Sequence, residues 1–93
     1  MASNVIKKDG TKEPFNPEKI KNAIRAAAVR TDLSEEKKNE VIEQVTAPVI
    51  QMTDTKEEIA TSEIREKVLT ELDRVEPAIA EAWRKYDQEK KGA

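Results

Sequence analysis

Lys7, Lys8, Lys12 and Lys19 crowd around an Asp9-Gly10 turn and an Asn16-Pro17-Glu18 helix start. Asp9-Gly10 suits a two-residue type I′ hairpin turn, in which both positions take positive φ. Such a turn sets Lys7 across from Lys12 and puts Lys8 on the other face with Glu13. Like charges directly opposite one another in a sheet repel unless an anion intervenes. The helix start that follows offers free N–H groups and the positive end of a dipole. Together these features make a seat for a polyphosphate. The same residues also have a plainer reading: lysines protect a hairpin edge from aggregation, and Asn-Pro-Glu caps a helix.

A second constellation is Thr61, Ser62 and Arg65. A hydroxyl at a helix start and a guanidinium one turn later face the same way, so they could hold a sugar hydroxyl and a phosphate. The alternative is an ordinary cap followed by a surface arginine. Trp83 and Tyr86 are spaced for one side of a helix, either as core or as a platform for stacking a base. Arg84 and Lys85 beside them are a surface pair or reach a ligand. Glu35-Glu36 and Glu57-Glu58 read as solvated helix faces. Asp54, Glu57 and Glu58 lack the glycine and the terminal ligand of a calcium loop.

Composition removes several classes of chemistry. The sequence has no cysteine and no histidine, which excludes disulfides, Cys/His zinc sites, and thiol or imidazole catalysis. With two glycines there is no P-loop, and no serine or threonine has a base to activate it. No catalysis is expected. Basic residues number 17 against 19 acidic, a net charge of −2, so the basic excess of a nucleic-acid binder is missing. On that ground no direct nucleic-acid partner is expected. No run is long and apolar enough to span a bilayer and the N-terminus does not resemble a signal peptide, so a cytoplasmic protein without membrane contact is expected.

The elements that must position these residues follow from spacing. The 93 residues suit one domain, ordered over about residues 4–88, with Met1-Ala2-Ser3 and Lys90-Lys91-Gly92-Ala93 as frayed ends. Asn4 to Phe15 reads as a hairpin, with Pro14 at an edge or strand end. Asn16 caps a first helix whose inner side carries Ile20, Ile24, Ala27 and Ala28. Ser34 caps a second, with Val41, Val45, Val49 and Met52 in its stripe; Pro48 should kink it or end its regular part. Gln51 to Lys56 reads as a polar connection, and Glu57 to Ala60 as a short third strand or a lead-in to the next helix. Thr61 or Ser62 should cap a third helix, with Ile64, Val68, Leu72 and Val75 inside. Pro77 opens a fourth, with Ile79, Ala82, Trp83 and Tyr86 inward and a polar, fraying stretch after Tyr86. The expected fold class is α+β, mostly α: a small bundle of about four helices capped by an N-terminal β-hairpin or a short three-stranded sheet.

Three segments resemble a known family. Val5 to Ile20 follows the opening pattern of the ATP-cone: an apolar residue, a Lys-basic-Asp-Gly turn, an acidic residue, an aromatic, Asn, then Lys-Ile. Glu58 to Val68, followed by Leu72, is similar to the family's second motif, and Ile79 to Tyr86 to its basic-aromatic close. The ATP-cone is a regulatory domain of ribonucleotide reductases and of their transcriptional repressor, and its fold is a small helical bundle covered by a short sheet.

The resemblance implies an adenine-nucleotide site. Val5 would contact the nucleotide, Lys7 and Lys8 would meet phosphates, and Glu13 and Asn16 would make polar contacts. Lys19 would reach phosphate, Thr61 would lie near base or ribose, and Lys85 would be a further phosphate contact. Lys8 stands where the family usually has Arg. Arg65 stands where reductase members often have His, which leaves its role and the choice between ATP and dATP open. The chain has neither the catalytic barrel and reactive cysteines of a reductase nor the cysteine zinc ribbon of the repressor. What remains is an isolated cone, either a one-domain protein or a piece of a longer chain. The expected function is a non-enzymatic ATP/dATP sensor, with or without Mg²⁺ and without redox cofactor, whose partner is a ribonucleotide reductase subunit or another regulated protein. The alternative is a helical interaction module that has lost its ligand.

Overall fold

The computed structural model describes residues 3–92, with side chains through Glu89. The order is β1 (Asn4–Ile6), β2 (Lys12–Pro14), α1 (Pro17–Ala28), α2 (Glu35–Thr53), β3 (Glu58–Ala60), α3 (Thr61–Val75) and α4 (Pro77–Gly92). This is the expected α+β class, with the three-stranded version of the sheet. The expected fraying at Met1, Ala2 and Ala93 falls outside the described residues, whereas α4 continues past Tyr86 to Gly92.

Strand β1 is central, antiparallel to β2 and parallel to β3. The hairpin turn differs from the expected one. Gly10 has φ +87 and no other described residue has positive φ, so a type I′ turn is absent. Instead Gly10 N–H donates to the Lys7 carbonyl at 2.9 Å and Lys7 N–H to the Thr11 carbonyl at 2.8 Å, closing a three-residue loop with glycine in the left-handed position. Asp9 shapes it by accepting from the Thr11 N–H at 3.0 Å and hydroxyl at 2.6 Å. The longer loop shifts the register by one residue, so Lys12 faces Ile6 and not Lys7. The like-charge pair expected from a two-residue turn does not form. Lys12 reaches Glu58 on β3 at 2.7 Å and Lys7 reaches Glu13 at 3.0 Å.

Helix starts follow their caps. Asn16 Oδ1 accepts from Glu18 N–H at 3.0 Å, and Ser34 Oγ from Lys37 N–H at 3.1 Å. The third helix departs from expectation: its N-cap is Ala60, with no side-chain cap, so Thr61 and Ser62 lie inside the first turn. Strand β3 therefore enters α3 without a connecting residue. Pro48 does not end α2, which runs on to Thr53 and takes in part of the expected polar connection. The flanking Val45 and Val49 are fully buried, and Gln44, whose carbonyl loses its helical donor, is exposed to water.

In the bundle α1 and α3 each pack against both α2 and α4. Ile24, Val41, Val45, Val49, Leu72 and Ile79 form its fully buried centre. A second, smaller core lies under the sheet: Val5 and Ile59, with Phe15, Met52 and Ile64 packed against them. Tyr86 is not inward as expected but 47% exposed, its ring 5.3 Å from the Arg30 guanidinium. Glu71 on α3 is 8% exposed and is held by Arg74 at 3.1 Å.

Leu72→Ala removes a fully buried side chain and is expected to destabilise the bundle by about 2–5 kcal/mol in urea denaturation. A second expectation concerns pH. Hydrogen bonds from Arg84, Arg74 and Arg30 hold Asp73, Glu71 and Glu89 below the ordinary values of 3.8 for Asp and 4.5 for Glu. Folded values below unfolded ones stabilise above the unfolded pKa, and that contribution is lost as pH falls through the folded pKa. With no histidine in the chain, Tm by circular dichroism should stay flat from about pH 6 to 8 and fall in acid, starting near the ordinary carboxylate range.

Candidate functional site

A cavity of about 730 Å³ opens where the sheet, the starts of α1 and α3, and the outer half of α4 meet. Its position follows from the two parallel strands. Pairing Val5 with Ile59 sets the first strand beside the strand that feeds α3. Residues some fifty-five positions apart, such as Val5 and Thr61, thus come to line one hollow.

One part of the wall is apolar, from Val5, Phe15, Ile20, Ile64, Val68 and Trp83. A flat aromatic ligand could be received there, since an indole and a phenyl ring offer area without competing polarity. The Trp83 indole nitrogen is buried and has no hydrogen-bond partner. The other part carries charge. Lys8, Lys19 and Arg65 stand on it with the anions Glu13 and Asp87.

The cations differ in how they are held. Glu13 sits between Lys7 at 3.0 Å and Lys19 at 3.3 Å. The hydrogen bond from Lys7 comes first among the causes that hold its carboxyl below the ordinary range, and Lys19 adds to it. Arg65 on α3 is paired with Asp87 on α4. Lys8 makes no ion pair with any described residue and is exposed at the tip of the hairpin. Two helix starts also face this region: that of α1, capped by Asn16, and that of α3, whose first N–H groups have no side-chain cap.

Of the residues singled out from the sequence, Val5, Lys8, Glu13, Asn16, Lys19, Thr61 and Arg65 line the cavity. Lys7 lies beside it through Glu13 and is not on its wall. Lys85 is not brought there: it pairs with Glu81 at 3.5 Å and borders a separate hollow with Arg30 and Leu33. Asp87, which the sequence presents only as part of a polar stretch, also lines the cavity. The available signal was its position four residues after Trp83, which puts both on one face of α4. No group of three or more acidic or metal-ligating residues suited to a metal ion occurs among the described residues, and none of the described helices is long and apolar enough to cross a membrane.

Comparison with known proteins identifies the family. The ATP cone domain model matches residues 3–92. The chain is 37% identical over 68 residues to the transcriptional repressor NrdR of Bdellovibrio bacteriovorus, covering 73% of this chain and 34% of that protein. It is 33% identical over 72 residues to the NrdR repressor of Prochlorococcus marinus, covering 77% of this chain and 44% of that one. The NrdR repressor of Chloroflexus aggregans is 34% identical over 68 residues, 73% of this chain and 38% of its own. The chain thus spans less than half the length of these relatives. Their role as transcriptional repressors overturns the expectation that no nucleic acid would be a partner. That expectation rests on net charge, which does not by itself decide what a chain or its relatives bind. By the match over residues 3–92, this chain belongs to the ATP-cone family.

Proposed function

We propose that the cavity binds an adenine nucleotide, ATP or dATP, and that the chain is a regulatory sensor that binds its ligand without converting it. The observation that carries this reading is the convergence, in one hollow, of an aromatic wall with an unpaired cation and an uncapped helix start. An adenine ring fits the first, and phosphates fit the other two. Val5 and Trp83 would border the base, and Thr61 the base or ribose. Lys8 and Lys19 would meet phosphates, with Lys7 drawn in from beside Glu13. Any Mg²⁺ would arrive on the phosphates, for no group of three or more metal-ligating side chains is gathered among the described residues. Occupancy acts on a partner only if that partner distinguishes the two states. Nucleic acid belongs among the partners to be tested, given the repressor relatives.

The second reading, an interaction module without ligand, is favoured by the ion pairs that already engage Lys7, Lys19 and Arg65. It expects partner binding that ATP leaves unchanged.

The chain has one tryptophan, Trp83, and it borders the cavity, so its fluorescence reports occupancy directly. Titration with ATP or dATP is expected to change Trp83 emission saturably, with no phosphate released over hours. A flat titration at millimolar ligand sinks the proposal. Lys8→Ala should weaken ATP binding about tenfold, the worth of one charge-assisted hydrogen bond, and leave the circular dichroism spectrum intact. Phosphates that draw Lys7 and Lys19 off Glu13 remove what lowers its carboxyl pKa. The Glu13 titration followed by NMR should therefore move upward, toward 4.5, on saturation with ATP.

A further inference from the structure

We infer that Asp87 is an internal competitor for the ligand's anionic end, a carboxylate that occupies Arg65 until a phosphate displaces it. The inference rests on the nucleotide reading of the cavity and adds a specificity-determining residue to it. Both side chains line the hollow, one from α3 and one from α4, and they are paired with each other. Asp87 is the more enclosed, its side chain 23% exposed against 40% for Arg65. A half-enclosed carboxylate on the wall of an anion site repels an incoming phosphate at close range. The same carboxylate also occupies the guanidinium that would otherwise form a bidentate pair with that phosphate.

The arrangement makes the site discriminate by charge. An uncharged ligand such as adenosine takes the aromatic wall and leaves the Arg65–Asp87 pair closed. A ligand with a phosphate chain gains Arg65 only by releasing Asp87. Because Asp87 sits on α4 four residues beyond Trp83, release is felt on the helix that forms the other side of the cavity. The outer part of α4 is also held from the turn that follows α1, through Arg30 to Glu89 at 2.7 Å. Opening the Arg65–Asp87 pair therefore leaves Arg30–Glu89 as the ion pair that holds this end of α4 among the described residues. The chain thus reports the presence of phosphate, and not of the base, as a change in how α4 is held.

The test compares the wild-type chain with Asp87→Asn, which keeps the shape and removes the charge. Binding of ATP and of adenosine is followed by Trp83 fluorescence and by calorimetry. Asp87→Asn should bind ATP more tightly, by about fivefold on the scale of a partly exposed ion pair, and bind adenosine unchanged. Arg65→Gln added to Asp87→Asn should abolish the gain. ATP binding that Asp87→Asn leaves unchanged or weakens overturns the inference while the nucleotide reading stands, for Asp87 would then be orienting Arg65 toward the ligand. An equal gain for adenosine overturns it as well. No binding of ATP to either protein removes the nucleotide reading, and the inference with it.

Discussion

The parallel pairing of β1 with β3 is the constraint on which the rest of the structure depends. Three residues of each strand are paired, Asn4 to Glu58, Val5 to Ile59 and Ile6 to Ala60. A ladder that short is held less by its own hydrogen bonds than by the apolar pair at its centre, Val5 and Ile59, both buried against the helices. Because β3 runs straight into α3, fixing the strand also fixes the first turn of that helix. Thr61 and Arg65 are thereby brought to line one cavity with Glu13 and Asn16, which come from β2 and from the cap of α1. The bundle alone would leave these two groups on unrelated surfaces.

Charge is distributed over the molecule in a consistent way. Away from the cavity, some ion pairs stay within one helix, such as Arg74 to Glu71, and others join elements: Arg84 to Asp73 between α4 and α3, and Arg30 in the turn after α1 to Glu89 on α4. Exposed pairs of this kind contribute little individually. Around the cavity the pairs have another consequence, since each one engages a group that an anion would also seek. Glu13 holds two lysines and Asp87 holds one arginine. A chain with net charge −2 can in this way present a locally basic hollow without exposing a basic surface.

The helices were legible because each carries its own signals. Asn16 and Ser34 mark starts, and the four- and three-residue recurrence of Ile, Val and Leu marks the buried sides. The sheet was only partly legible. Asp9-Gly10 identified a turn, yet the choice between a two- and a three-residue loop depends on whether Asp9 takes positive φ. Here its carboxylate caps Thr11 instead, and every pairing shifts by one. The third strand stayed ambiguous because its partner is the distant β1, and nothing local in Glu58-Ile59-Ala60 names that partner. For the same reason Asp87 carries no signal in the sequence that names Arg65, since the two meet only once α4 is laid beside α3. Tyr86 was misplaced because helical spacing gives a side without fixing where the buried stripe ends. Lys85 is not gathered with the others, because it pairs with Glu81 along its own helix.

The two hydrophobic cores share Phe15 and Ile64. Most of the apolar burial belongs to the bundle, and the sheet rests on it through these two side chains and a handful of neighbours. On this division of the apolar burial, the sheet is expected to open at a lower free energy than the bundle. The cavity lies along this seam, with Phe15 and Ile64 both on its wall. Whatever fills it bridges the two cores, so its apparent affinity contains the population of the closed seam as a factor. The lifetime of the closed sheet, and not only the chemistry of the wall, enters how tightly a ligand is held.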